Sequence, residues 1–395
     1  MAAKHLIPVH CEQLEHGMYV AELDRSWLHT PFEVRGLLIT QREQIDVLRR
    51  CCEYVYVDPN RSDSIAMQDL AALSEDEASI VDSRSADSNP PDQRPADALL
   101  PLNGCREFLE EATEQIAATV REARRTNRLA IEPINRTLDG FVDHVLEWPD
   151  AVQWLLATEP AHGRLNRRSI GTAVFSILFG RQLGFDRDAL RELALGALIL
   201  DIGKTSVPIT ILSKPKRLNS VERSFVRRHV DTGVALVRLN ARMERRVIDM
   251  VASHHERLDG SGYPHRMAGT EIPLYARIAG IADTYDAMTQ NRDYANARSG
   301  HAALRYLNSC RDVKFDAALV DEFIHAVGVY PVGTNVELED GSIGTVCRHR
   351  RDEPKRPDVL LLRDSAGRTQ KAMSIMEYGS DKRIRRALPT PLAAH

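Results

Sequence analysis

Five side chains in the middle of this chain could bind a metal ion: Asp201, His229, His254, His255 and Asp283. Neutral imidazoles with carboxylates form a ligand set suited to iron, manganese or zinc. Such an ion acidifies bound water and clamps phosphate oxygens, so the set points to phosphodiester chemistry or to its remnant. Each residue alone has a plainer account. A lone histidine on an apolar helix face is more often a hydrogen-bonded core residue. Adjacent histidines on a helix point about 100° apart. The run DGSGYP reads as a tight turn, and Asp283 reads as a salt-bridged acid. Together, the five make the ligand set of a metal site.

The elements that carry them follow from local pattern. Asp201 falls on the apolar row Leu190, Ala194, Ala197 and Leu198, which turns its carboxylate toward the core. A buried carboxylate needs a partner, which a metal or Lys204 would supply. Gly203 ends that helix. His229 is expected on a helix capped by Asn219, with Glu222 at its third position, sharing a face with Val226, Gly233 and Leu236. Asp283 lies among Ala276, Ala279, Gly280 and Ala287, small residues that let helices approach closely.

The fold expected is mainly α: an all-α helical core with a small N-terminal α/β unit and a small C-terminal β unit. In residues 1–60, strands are expected over Met18–Leu23, Phe32–Ile39 and Tyr54–Val57, with a short helix capped by Thr40. Residues 61–102, rich in Pro, Ser, Asp and Ala, read as a flexible linker, with a short helix around Ile65–Leu73. Residues 103–160 form a helical lead-in, with Phe108, Leu109, Ala112, Ile116 and Val120 at helical spacing. Residues 161–330 form the helical domain, interrupted by a loop from Arg257 to Pro273. In residues 331–378, the turn signals Asp340-Gly341 and Ser365–Arg368 separate short strands. Residues 379–395 read as a tail.

Composition narrows the classes. The net charge of −4 provides no global basic field for a nucleic acid polymer. The six cysteines contain no C-x-x-C pair and fit neither a disulfide framework nor a zinc ribbon. No secretory signal is expected at the N-terminus. The run LALGALIL stops at Asp201, far short of the ~20 residues that span a bilayer. A cytoplasmic location is expected.

The run HHERLDGSGYP (254–264) resembles the signature of bacterial HD-GYP domains, a family of metal-dependent cyclic-di-GMP phosphodiesterases. LGALILDIGK (195–204), VPITILSKPKRLNSVE (207–222) and GTEIPLYARIAGIADTYDAMTQNRDY (269–294) are similar to the segments that surround it in the family. The N-terminal unit resembles an uncharacterised α/β domain often found ahead of HD-GYP domains.

The resemblance implies an HD-type helical fold, two or three iron or manganese ions, and hydrolysis of cyclic-di-GMP to the linear dinucleotide or GMP. It implies that Asp201, His229, His254 and His255 hold one metal, that Asp201 bridges to another, and that Asp283 belongs to that other. Asp201 and Lys204 would be catalytic, with Lys204 on the substrate phosphate. Arg292 would bind the nucleotide, and Arg168 could add charge. Asp259, Gly260, Gly262, Tyr263 and Pro264 would form the signature loop, which in the family is linked to docking of GGDEF diguanylate cyclase domains.

Two positions depart from the pattern. The HD dyad reads Leu200-Asp201, and the first-helix histidine falls at Arg168, in an alignment anchored by FGRQLG (179–184). Both lost histidines belong to the same metal, and a fixed guanidinium stands beside the gap. The expectation is one transition metal ion per chain, iron or manganese. Three functions are then open: a degenerate member that binds cyclic-di-GMP or a partner with weak or no hydrolysis, an active phosphodiesterase, or a non-catalytic scaffold.

Overall fold

The computed structural model describes residues 7–23, 37–52, 54–58, 61–62, 101–159, 164–214, 216–240, 242–290, 298–350, 356–376 and 383–388. Most of the expected linker, the helix expected at Ile65–Leu73, and Arg292 lie outside the described residues. The chain divides into two compact units, residues 1–90 and 91–395.

In the first unit, β1 (Ile7–His10), β2 (Tyr19–Leu23), β3 (Leu37–Leu38) and β4 (Tyr54–Val57) form an antiparallel sheet in the order β1-β4-β2-β3. Pro8 hides β1 from a pattern reading, and it is tolerated because β1 is an edge strand. Helix α1 (Arg42–Cys51) packs Leu48 against Val9, Val20, Val55 and Val57. Its cap is Gln41 rather than Thr40. The amides of both residues donate to the Gln44 side chain, which satisfies two donors at the helix start.

The second unit opens with α2 (Leu102–Thr126), α3 (Glu132–Glu147) and α4 (Pro149–Thr158). Its centre is α5 (Arg164–Gln182), which packs on α6 (Arg187–Ile199), α11 (Leu274–Thr289) and α13 (Ala317–Val327). Ala173, Ile177, Leu193, Ala279 and Ala282 are fully buried there, and Phe179 meets Phe323 edge-on with ring centres 5.2 Å apart. Between α6 and α11 come α7 (Ile209–Leu212), α8 (Ser220–Arg227), α9 (His229–Arg238) and α10 (Arg245–Ser253), and α12 (Gly300–Ser309) follows α11. Among the described residues, no helix is long and apolar enough to cross a membrane.

Two helices that lead into the site also differ from the sequence expectation. The helix capped by Asn219 and Glu222 stops at Arg227, and His229 begins the next one. Nδ1 of His229 takes the Val226 carbonyl at 2.7 Å, the acceptor that an unbroken helix would give to the amide of Val230. Likewise α6 ends at Ile199, and Asp201 caps a short 3-10 turn, Ile202–Ser206.

At the C-terminal end, β5 (Asn335–Leu338), β6 (Ile343–Arg348), β7 (Asp358–Arg363), β8 (Thr369–Met376) and β9 (Ile384–Ala387) form an antiparallel sheet in the order β8-β7-β6-β5-β9. Gly341 and Gly367 take positive φ at the two turns (84° and 78°). β9 lies in the stretch expected to be a tail and pairs Ala387 with Val336.

Candidate metal centre

Asp201, His229, His254 and His255 offer ligand atoms that all lie within 4.8 Å of one another. They come from three places: the turn after α6, the first residue of α9, and the end of α10. His254 and His255 stand just past the last turn of α10, so the chain is already bending where they project. The ring centres are 4.0 Å apart for His254 and His255 and 5.2 Å apart for His229 and His255.

Close backbone approach builds this arrangement. A Cβ on Gly203 would stand 1.9 Å from the His229 carbonyl oxygen and 2.5 Å from the Gly233 nitrogen. A Cβ on Gly280 would stand 2.8 Å from the His254 carbonyl oxygen. The glycines therefore let the Asp201 turn lie directly on α9, and α11 on the end of α10.

The donor atoms fit a metal ion. Nδ1 of His229 bonds to the Val226 carbonyl, and Nδ1 of His254 faces the carbonyls of Met250 and Val251, both at 3.2 Å. That arrangement puts the proton on Nδ1 and a lone pair on Nε2 in each ring. Nε2 of His229 lies 3.2 Å from Oδ1 of Asp201, and Nε2 of His254 lies 3.9 Å from it. These three buried atoms have no hydrogen-bond partner. Three acceptors facing each other in a buried space are costly unless a cation or proton sits among them.

Electrostatics keep the groups in ligand form. Burial pushes the His254 imidazole down to about 4 and holds His255 well below the usual range, so both are neutral near pH 7. Burial raises the Asp201 carboxyl, but the Lys204 ammonium, 2.5 Å from Oδ2, and the charge of Arg168 outweigh it and hold Asp201 well below the usual range. Burial lowers Lys204.

Asp283 does not join the cluster. Nε and Nη2 of Arg168 reach its Oδ1 at 3.1 and 2.6 Å, and Asp283 is almost wholly buried. Burial works against the Arg168 charge, but Asp283 and Asp201 outweigh it and raise Arg168 above its ordinary value. Leu200, in the dyad position before Asp201, is a buried core residue.

The signature loop is anchored beneath the site. Asp259 accepts the Ser261 amide at 2.9 Å, and Gly260 takes φ 71°. A Cβ on Gly262 would stand 2.4 Å from Cα of Glu256. The Tyr263 ring stacks on His255 with centres 4.5 Å apart, and Pro264 follows it in the loop. Two anchoring residues were not singled out from the sequence. Buried Glu256 accepts the amides of His265 (2.7 Å) and Met267 (3.1 Å). The Arg257 guanidinium donates to the carbonyls of His254 (3.0 Å) and Glu256 (2.7 Å). The only sequence signal for them was their place directly after the histidine pair.

Comparison with known proteins places these features in a wider setting. Residues 151–319 match the HD domain family, and residues 6–134 match a domain of unknown function. The chain is 29% identical over 377 residues to a cyclic di-GMP phosphodiesterase of Pseudomonas aeruginosa, covering 94% of this chain and 88% of that protein. A cyclic di-GMP phosphodiesterase response regulator of Xanthomonas campestris is 37% identical over 148 residues, covering 37% of this chain and 39% of that protein. Among solved structures, an HDG"Y"P protein of Bdellovibrio bacteriovorus aligns with a TM-score of 0.48 at 13% identity, covering 80% of this chain and 98% of that one.

Proposed function

The chain belongs to the HD-GYP family of HD domains, and from that membership we propose that it acts in cyclic-di-GMP signalling through a mononuclear metal centre that binds the dinucleotide and hydrolyses it weakly or not at all. The observation that carries this reading is the Arg168–Asp283 ion pair beside the Asp201, His229, His254 and His255 cluster. The family's second metal would need Asp283, and here that carboxylate is engaged by a guanidinium.

In this reading Asp201, His229, His254 and His255 hold one iron or manganese ion. When bound, such an ion supplies Lewis-acid polarisation of a phosphate and an acidified water. Lys204 meets a substrate phosphate and keeps Asp201 ionised. Arg168 holds Asp283 and lends a fixed positive charge that does not depend on pH. Arg292, outside the described residues, is assigned to the nucleotide by the family resemblance alone, as is docking of a diguanylate cyclase domain on the signature loop. A guanidinium attracts phosphate but cannot activate water. Losing one such electrostatic contributor costs about a hundred- to a thousandfold in kcat. Recognition is therefore retained better than turnover.

The intact four-residue cluster favours an active phosphodiesterase as the second reading, and one experiment separates the two. The full-length protein, prepared anaerobically with iron(II) or manganese(II), is analysed for metal content and for cyclic-di-GMP turnover, alongside the double variant Arg168→His, Leu200→His. The expected result is about one tightly bound ion and little product for the wild type, with both values rising in the variant. Two or more ions per wild-type chain, or fast turnover abolished by His254→Ala, would overturn the mononuclear account.

A further inference from the structure

On the outer side of the signature loop lies a second concave site that the metal centre does not use. A cavity of about 500 Å³ opens between the α8–α9 junction and the loop. Arg227, Arg228 and Arg266 line it, with Asp231 as the opposing acid. Three guanidiniums against one carboxylate make a local positive site on a chain whose net charge is −4. None of the three arginines pairs with a carboxylate among the described residues. All three converge on one hollow.

The walls are built rather than loose. Arg266 sits in the left-handed region at φ 58°, which a side chain larger than glycine's rarely adopts. Glu256 holds that backbone from both sides, because its buried carboxylate takes the amides of His265 and Met267. The Arg227 guanidinium lies 4.7 Å from the centre of the Tyr263 ring, which also stacks on His255. Ser224, Ser261 and the loop glycines complete a mainly polar lining that does not suit an apolar ligand. Planar guanidinium forks match the paired oxygens of a phosphate in bidentate geometry.

We propose that the Arg227–Arg228–Arg266 cavity is a binding site for a small phosphate-bearing ligand, separate from the metal centre and joined to it through the Arg227–Tyr263–His255 stack. The site does not depend on the mononuclear reading, because it uses none of the proposed ligands.

The test is calorimetric titration of the full-length protein with inorganic pyrophosphate at about 0.15 M salt, which screens loose surface attraction. Wild type, His254→Ala, and the double variant Arg227→Gln, Arg266→Gln are compared. Binding is expected in the wild type and in His254→Ala, and at least about tenfold weaker in the double variant, as expected for two lost charge-assisted contacts. The conservative pair Arg227→Lys, Arg266→Lys should fall between and gives the same reading if the glutamine pair does not fold. Binding that survives the arginine changes but disappears in His254→Ala would put the anion on the metal centre and overturn the proposal. So would the absence of any binding in the wild type.

Discussion

Arg168 and Asp283 show what one residue can change at a buried centre. Arg168 engages the Asp283 carboxylate beside the four-residue cluster, and in the proposed reading this contact takes Asp283 out of the ligand pool. A buried ion pair adds little net stability, because both groups lose hydration, but breaking it leaves one charge uncompensated. Arg168→Ala is therefore expected to destabilise the helical unit by about 3–5 kcal/mol, read as a fall in its unfolding midpoint. Replacing both partners, Arg168→Met with Asp283→Leu, should come out near neutral by the same principle. Metal held by the four-residue cluster should survive the paired change, because neither residue is a ligand in our account. Equal destabilisation by the single and double changes would mean that the pair contributes through packing rather than charge.

At the scale of elements, the site depends on two segments crossing at backbone distance. The turn carrying Asp201 rests on the start of α9 at Gly203, and even a methyl group there meets backbone rather than a side chain that can rotate away. Gly203→Ala should cost at least about 3 kcal/mol, the upper end for overpacking, since neither segment can yield without dragging a ligand. It should also lower metal content by moving Asp201 away from His229. Denaturant unfolding and elemental analysis of the same preparation check both effects. A stable variant with lost metal, or an unstable one with metal retained, would separate the packing role from the positioning role. The break between α8 and α9 belongs to the same scale. His229 takes the carbonyl of Val226 from the preceding helix, and this capture both ends α8 and fixes the ring that faces Asp201.

At the scale of the whole helical unit, a half-buried pair joins the C-terminal sheet to the bundle. His349 follows β6, and its imidazole lies where a Cβ on Gly328 would be. The His349 amide hydrogen-bonds to the Asp150 carboxyl on α4, Asp150 being pushed up to about 6 by burial. Burial pushes the His349 imidazole down to about 4. The two groups act in opposite senses. Between about pH 6.5 and 4 the unfolded chain protonates His349 and the folded one does not, so this group's contribution is present above 6.5 and lost as pH falls toward 4. Asp150 binds its proton in the folded state first, so its effect rises over much of the same interval. His349→Leu removes the first effect and leaves the second. The variant should gain on the wild type by about 2–3 kcal/mol on going from pH 7 to 4.5. Denaturant midpoints at the two pH values test this, and a pH-independent difference between the two proteins would refute it.

The sequence by itself determined a good deal. Helical periodicity located α2 and α3, and the Asn219–Glu222 capping pair fixed the start of α8. The glycine turns marked the C-terminal hairpins. The types and order of Asp201, His229, His254 and His255 pointed to a metal-ligand set, and the structure brings these four together. These features are local, or are carried by a long contiguous motif, and so they are written in consecutive residues. Tertiary structure decided what depends on distance between segments. That Arg168 reaches Asp283, 115 positions away, follows from how α5 packs on α11. β9 pairs with β5 through a partner almost fifty residues distant, and Pro8 marks an edge strand only once β4 lies beside it. Glu256 gains its role from amides in a loop that folds back over it. No spacing rule encodes these contacts, because each depends on where a second segment is placed by the burial of apolar faces elsewhere.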